Sequence, residues 1–262
     1  MNTVNSKDVL VETENAIMNI MLNRPDSLNA FSLGMFLDLK AALDRAKQDD
    51  GIRVVVLSGK GRAFCAGGDV KGMGKRNPLE SHTYIGHLNE LVLAIHQLEK
   101  PVIASVHGYA AGAGFNLALA CDIILAAENT KFILSFSKVG LGSDGGGLFF
   151  LPRLIGLQRA KELYFKAEPI TAEEAKQLGI VNHIYPEPEF GTAVKEYAAL
   201  LAEGPTVSYG FIKKVANQSL SLSLKEVLEL ERLSQATLVT TADHLEGVSA
   251  FKEKRNPAFK GS

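Results

Sequence analysis

Two stretches of the chain could present bare backbone to a ligand. They are Phe64-Cys65-Ala66-Gly67-Gly68-Asp69 and Gly108-Tyr109-Ala110-Ala111-Gly112-Ala113-Gly114. Each follows an apolar, mostly β-branched run, Val54–Leu57 and Val102–Val106. Glycine and alanine at such turns let an N–H approach a ligand with no side chain in the way. Two N–H groups aimed at one oxygen stabilise the charge that develops on it. A third stretch, Val139 to Phe150, carries one carboxylate, Asp144, among glycines and apolar residues. Desolvation in an apolar pocket would raise the proton affinity of Asp144 and suit it to work as a base. Asp144 has a plainer reading too, as the N-cap of a helix over 148–151.

Other reactive residue types carry less. The six histidines show no metal spacing with cysteine or carboxylate. No Gly-x-Ser-x-Gly elbow is present, so acyl transfer through serine has no support. Cys65 has no assignable basic partner and reads as a small packed residue. Gly140-Leu-Gly142-Ser-Asp-Gly145 matches a dinucleotide fingerprint, but Pro152 leaves little room for the long helix that should follow. Asp69 could cap a helix, and Asp122 reads as structural. The basic run Phe251–Arg255 fits either a solvated helix end or a contact for a phosphate-bearing ligand.

The elements that must position these residues alternate in type. Strands are expected at 9–13, 17–22, 53–58, 102–106, 123–126 and 131–136. Helices are expected at 32–48, 79–99 and 112–120. Strands alternating with helices imply βα units and parallel sheet. The doubly apolar run at 53–58 reads as a strand buried on both faces. Thr171-Ala-Glu-Glu174 is a capping box, with Gly179 as a C-terminal stop and a short strand at 180–184. Helices then fill 190–202, 206–218, 223–238 and 242–254. A boundary near Gly204-Pro205 would separate a core of residues 1–203 from a helical region of residues 204–262.

A chain of 262 residues, 46% hydrophobic, can build one sizeable core. A net charge of −1 offers no global attraction for nucleic acid. Two cysteines without framework spacing fit a reducing compartment, and the first ten residues have no signal-like apolar core, so a cytoplasmic location is expected. No apolar run approaches the ~18 residues needed to span a membrane.

Taken in order, several motifs resemble the crotonase (enoyl-CoA hydratase/isomerase) superfamily over essentially the whole chain. They are Asn23-Arg24-Pro25 to Asn29-Ala30, Phe64 to Asp69, Lys100-Pro101, Gly108 to Asp122, Leu151-Pro152-Arg153 and Phe251 to Phe259. The resemblance implies an α/β spiral of ββα units with a helical C-terminal region used for oligomerisation, in a homotrimer or dimer of trimers. It implies an acyl-CoA thioester substrate, with CoA as part of the substrate and no metal or separate cofactor. The oxyanion donors fall on the N–H groups of Gly68 and Ala113. Ala66 and the Asp69-Val70-Lys71 stretch fall along the adenine and pantetheine of CoA. Lys254 falls where a CoA phosphate of its own or a neighbouring subunit could be met.

The departures are as informative. Typical hydratases of the superfamily carry two glutamates, at the positions of Asn116 and Phe136 here. Neither residue can act as acid or base, and both are expected to border the substrate instead. Asp144 stands where a subset of the superfamily carries a catalytic aspartate. The set Asn116, Phe136-Ser-Lys138 and Asp144 is most similar to phenylacetate-pathway epoxyphenylacetyl-CoA isomerases. The expected activity is isomerisation of an acyl-CoA, shifting a double bond or rearranging a ring epoxide. A hydratase working with Asp144 alone, a non-catalytic acyl-CoA-binding subunit, and a thioesterase or dehalogenase are the alternatives.

Overall fold

The computed structural model describes residues 4–262 apart from 6, 70–73 and 75. The chain opens with β1 (Val4–Asn5), β2 (Val9–Glu14) and β3 (Ile17–Leu22), then α1 (Leu33–Gln48), β4 (Val54–Gly59) and α2 (Pro78–Gln97). Next come β5 (Val102–Val106), β6 (Tyr109–Ala111), α3 (Ala113–Leu119), β7 (Ile123–Ala127) and β8 (Lys131–Ile133). A 3-10 helix (Ser135–Val139), α4 (Gly147–Ile155) and α5 (Leu157–Lys166) lead to β9 (Ile170–Thr171), α6 (Ala172–Gln177) and β10 (His183–Tyr185). Four helices close the chain: α7 (Glu187–Ala202), α8 (Thr206–Ser219), α9 (Leu224–Leu238) and α10 (Ala242–Glu253).

Seven strands form one sheet in the order β1-β2-β3-β4-β5-β7-β10. β1 to β3 pair antiparallel, and every later pairing is parallel, with Ile17 opposite Val54, Val55 opposite Val102 and Ile103 opposite Ile123. A smaller sheet runs β6-β8-β9. Single bridges, Phe31 to Gly68 and Cys65 to Ala110, carry that second layer back to the earlier turns of the chain. Each turn thus places a strand in the large sheet and a short extended segment in the small one, then passes through a helix. The result is the α/β spiral expected from the sequence.

The unbroken apolar pattern of β4 has its expected cause. Val55 and Leu57 face the main core with Phe64, Leu91 and Phe115, while Val54 and Val56 pack under α7 against Phe190, Val194 and Ala198. Ser32 caps α1 by accepting from Met35 N at 3.0 Å, and Thr171 and Ser223 form the capping boxes read in the sequence. Arg53 spans the Gly204-Pro205 break. It donates to Thr206 Oγ1 at 2.9 Å, to Phe259 O at 3.2 Å and to Gly204 O, so the C-terminal helices are tied to the start of β4.

Two segments differ from expectation. The extended run at 131–136 stops at Ile133, and the 3-10 helix that follows buries Phe136. The strand expected at 180–184 begins only at His183. The N–H groups of Ile180 and Val181 instead bond back to Ala175 O at the end of α6, at 2.8 and 3.3 Å, and their side chains plug the core.

Candidate active site

The two glycine-rich turns are bonded to each other. Phe64 N donates to His107 O at 2.9 Å, Cys65 N to Tyr109 O at 3.1 Å, and Ala111 N to Cys65 O at 2.9 Å. Glycine permits this approach. A Cβ on Gly114 would lie 2.4 Å from Cys65 O, and one on Gly67 would lie 2.5 Å from Ala111 O and 3.1 Å from Ala113 N. Ala113 is the first residue of α3, where a helix leaves its N–H groups without intrahelical acceptors. Neither Gly68 N nor Ala113 N has an acceptor among the described residues.

Gly68, Ala113 and Asp144 line one cavity of about 310 Å3. Its apolar wall comes from Phe31, Phe36, Tyr84, Ile85, Leu88 and Leu141, and its polar rim from Asp69, Arg76 and Ser81. The aromatic side is a packed row, with Phe31 and Phe36 centroids 4.9 Å apart and Phe36 and Tyr84 centroids 5.1 Å apart. Burial pushes the Asp144 carboxyl up to about 6, partly offset by its own backbone N–H. Its Oδ1 is buried with no hydrogen-bond partner among the described residues. The helix-cap reading of Asp144 is not what forms: α4 starts at Gly147, Gly146 is the N-cap, and no side chain caps that end.

The other expected residues are placed as follows. Asp69 is on the rim, with Arg24 Nη2 at 3.4 Å from its Oδ2. Ala66 is half-buried beside the first turn and its N–H is taken by Leu28 O at 2.9 Å. Val70 and Lys71 lie outside the described residues. Lys254 is exposed at the C-cap of α10 with φ +56° and does not line the cavity. Two of them do not line this cavity. Asn116 does not border the cavity; it is fully buried behind it, and its amide donates to Ser143 Oγ at 3.0 Å and Asp144 O at 2.8 Å. Phe136 is not a cavity wall in this protomer either; its ring is buried beside Tyr164, centroids 6.4 Å apart, behind Gly112.

Cys65 is no nucleophile. Burial pushes its thiol up to about 12, and its sulfur contacts Asn29 O at 3.1 Å. The sequence reading missed Arg76, whose guanidinium lies 3.7 Å from the centre of the Tyr84 ring at the cavity rim. It also missed Tyr164, which meets Ser143 at 3.1 Å behind Asp144. Neither residue belongs to a motif, and only folding brings them to the site.

A spiral of this topology, with two bonded turns presenting free N–H groups beside a desolvated carboxylate, is the crotonase architecture. The family described as enoyl-CoA hydratase/isomerase matches residues 12–262, and the chain belongs to it. It is 41% identical over 251 residues to a probable enoyl-CoA hydratase of Rhodobacter capsulatus, covering 95% of this chain and 96% of that one. It is 39% identical over 260 residues to the 1,2-epoxyphenylacetyl-CoA isomerase of Escherichia coli, covering 97% and 98%. The solved enoyl-CoA hydratase of Bacillus anthracis superposes with a TM-score of 0.93 at 33% identity, covering 97% of this chain and 100% of that one. The protein is an enzyme of the crotonase superfamily. Among the described residues, no helix is long and apolar enough to cross a membrane.

Proposed function

We propose that the protein is an acyl-CoA isomerase that moves one proton between carbons of its substrate. The thioester oxygen sits between the N–H groups of Gly68 and Ala113. Asp144 takes a proton from the acyl chain, the electron pair moves onto the thioester oxygen as an enolate, and Asp144 returns the proton to a different carbon. A ring epoxide bound in the same way would rearrange through the same enolate. One donor of such a hole is typically worth about 10²–10³ in rate. Proton transfer of this kind needs no metal and no redox group.

The observation that carries this reading is the isolation of Asp144. It is the one cavity carboxylate with no ion-pair partner among the described residues, it is held near neutrality, and the two usual glutamate positions hold Asn116 and Phe136. A base that both removes and returns a proton needs only one such group, whereas addition of water calls for a base and an acid at once. The experiment is a product analysis by mass spectrometry on 2-enoyl, 3-enoyl, dienoyl and epoxyphenylacetyl thioesters. Isomerised product with solvent deuterium in the acyl chain is expected. Hydration of crotonyl-CoA as fast as any isomerisation would instead establish the second reading, enoyl-CoA hydratase, which the Rhodobacter relative favours.

We assign Lys254 to CoA phosphate binding and the helices α8 to α10 to oligomerisation as part of this proposal. Ile212, Leu224, Leu228, Leu245 and Phe251 are exposed on those helices and offer apolar side chains to a partner subunit. A homotrimer or dimer of trimers covers it.

A further inference from the structure

Behind Asp144 lies a polar cluster that the proposed chemistry does not use. Asn116 comes from α3, Ser143 from the loop before α4, and Tyr164 from α5. The Asn116 amide donates to Ser143 Oγ at 3.0 Å and to the Asp144 carbonyl at 2.8 Å. Ser143 Oγ in turn lies 3.1 Å from the Tyr164 hydroxyl. Ser137 holds the Tyr164 backbone by donating to its carbonyl at 2.9 Å. Gly147 completes the arrangement. A Cβ there would lie 2.3 Å from Asn116 Oδ1 and 2.4 Å from the Tyr164 hydroxyl, so only glycine lets both side chains reach the start of α4.

The loop that carries Asp144 includes Gly140, Gly142, Gly145 and Gly146. Glycine adds no stiffness of its own, so the direction of the carboxylate has to be set from outside the loop. Two side chains reach the loop from regular elements: Asn116 of α3, which donates to Ser143 Oγ and the Asp144 carbonyl, and Tyr164 of α5, whose hydroxyl accepts from Ser143 Oγ. A buried polar cluster in an otherwise apolar layer costs free energy unless its members satisfy one another, and here the Asn116 amide and the Ser143 hydroxyl do so while Asn116 Oδ1 is buried with no partner among the described residues. Other groups face the same carboxylate across the cavity: Asp69 and Arg76 on the rim, and Tyr84 from α2.

We propose that Tyr164, acting through Ser143 and Asn116, is a positioning residue that fixes the Asp144 carboxylate over the cavity. This inference rests on Asp144 being the proton-transferring group. Tyr164 touches no substrate; its hydroxyl orients the loop.

The test compares Tyr164→Phe, Ser143→Ala and Ser143→Thr with Asp144→Asn, following solvent deuterium exchange into 3-hexenoyl-CoA. Tyr164→Phe keeps the ring against Phe136 and removes only the hydroxyl. It is expected to lower kcat about 10- to 100-fold, the scale of a misplaced catalytic group. KM should stay within about twofold, because the thioester contacts are untouched. The acid limb of the kcat profile should move to lower pH, since a loosened loop rehydrates the carboxylate. Ser143→Ala should behave alike, and Ser143→Thr, which keeps a hydroxyl, should recover most of the loss. A Tyr164→Phe enzyme with parental kcat and an unmoved acid limb would overturn the proposal, as would a loss confined to KM. Should Tyr164→Phe fail to fold, the Ser143 pair reads the same chain of contacts, and equal loss in Ser143→Ala and Ser143→Thr would refute it. An active Asp144→Asn enzyme removes the base assignment itself. An inactive one beside normal Tyr164→Phe removes only the positioning role.

Discussion

Asp144 trades stability for reactivity, and the trade has a measurable sign. Its carboxyl holds a proton up to about pH 6, against 3.8 for the group in water. The protonated form is the one that burial favours. Its contribution to stability is therefore fully present below about pH 3.8 and lost as pH rises through about 6. Asp144→Asn is neutral at every pH. It should melt above the parent protein at about pH 7.5, with the gap closing below about pH 4. A helix-cap role would give the opposite sign, a loss of about 0.5–2 kcal/mol. Turnover should fall by about 10²–10⁴ in the same variant, the usual worth of a general base. In the parent enzyme, kcat/KM should drop about tenfold per pH unit on the acid side of pH 6, because only the ionised carboxylate of the free enzyme accepts a proton.

The contact between the two turns is made at the element scale, by backbone meeting backbone. Gly114→Ala puts a methyl group 2.4 Å from Cys65 O, and no side-chain rotation can relieve it. The turns must part, and Gly68 N and Ala113 N with them. A stability loss of about 1–3 kcal/mol is expected, together with a fall in turnover larger than unfolding explains. Urea melts and kcat on one preparation separate the two effects. The 3-10 helix gives a second case. Phe136→Glu sets a carboxylate into the buried space beside the Tyr164 ring and Gly112. It is expected to lower the melting temperature well before it confers any hydration of crotonyl-CoA. Efficient hydration by a Phe136→Glu protein of parental stability would contradict the burial described here.

At the scale of the whole molecule, the core is closed under α7 but the outer helices are not covered. Phe251 is 85% exposed, Leu224 73% and Leu245 65%, values that suit a subunit face better than a solvated one. Sedimentation should show three or six protomers. Leu245→Glu together with Phe251→Glu should shift the distribution toward monomer while leaving the far-UV spectrum of the spiral intact. A parental protein that sediments as a monomer at high concentration would remove the oligomer reading.

What the sequence determined alone was local. Period-two and β-branched runs located β2 to β5 within a residue or so, and Ser32, Thr171 and Ser223 announced their helices, because strand patterning and capping depend on neighbours in the chain. The two bare turns and Asp144 were legible for the same reason: residue type and order were enough. Tertiary structure decided the rest. Ile180 and Val181 read as strand, yet the end of α6 took their N–H groups. Asn116 and Phe136 read as cavity residues from their positions in the motif, and it is the fold that buries them, Asn116 against Ser143 and Phe136 beside Tyr164. Arg76 and Tyr164 belonged to no motif; Arg76 meets the Tyr84 ring at the cavity rim, and Tyr164 reaches Ser143 from α5. The proton affinity of Asp144 follows from how much water the folded chain excludes around it, which no spacing of residues records.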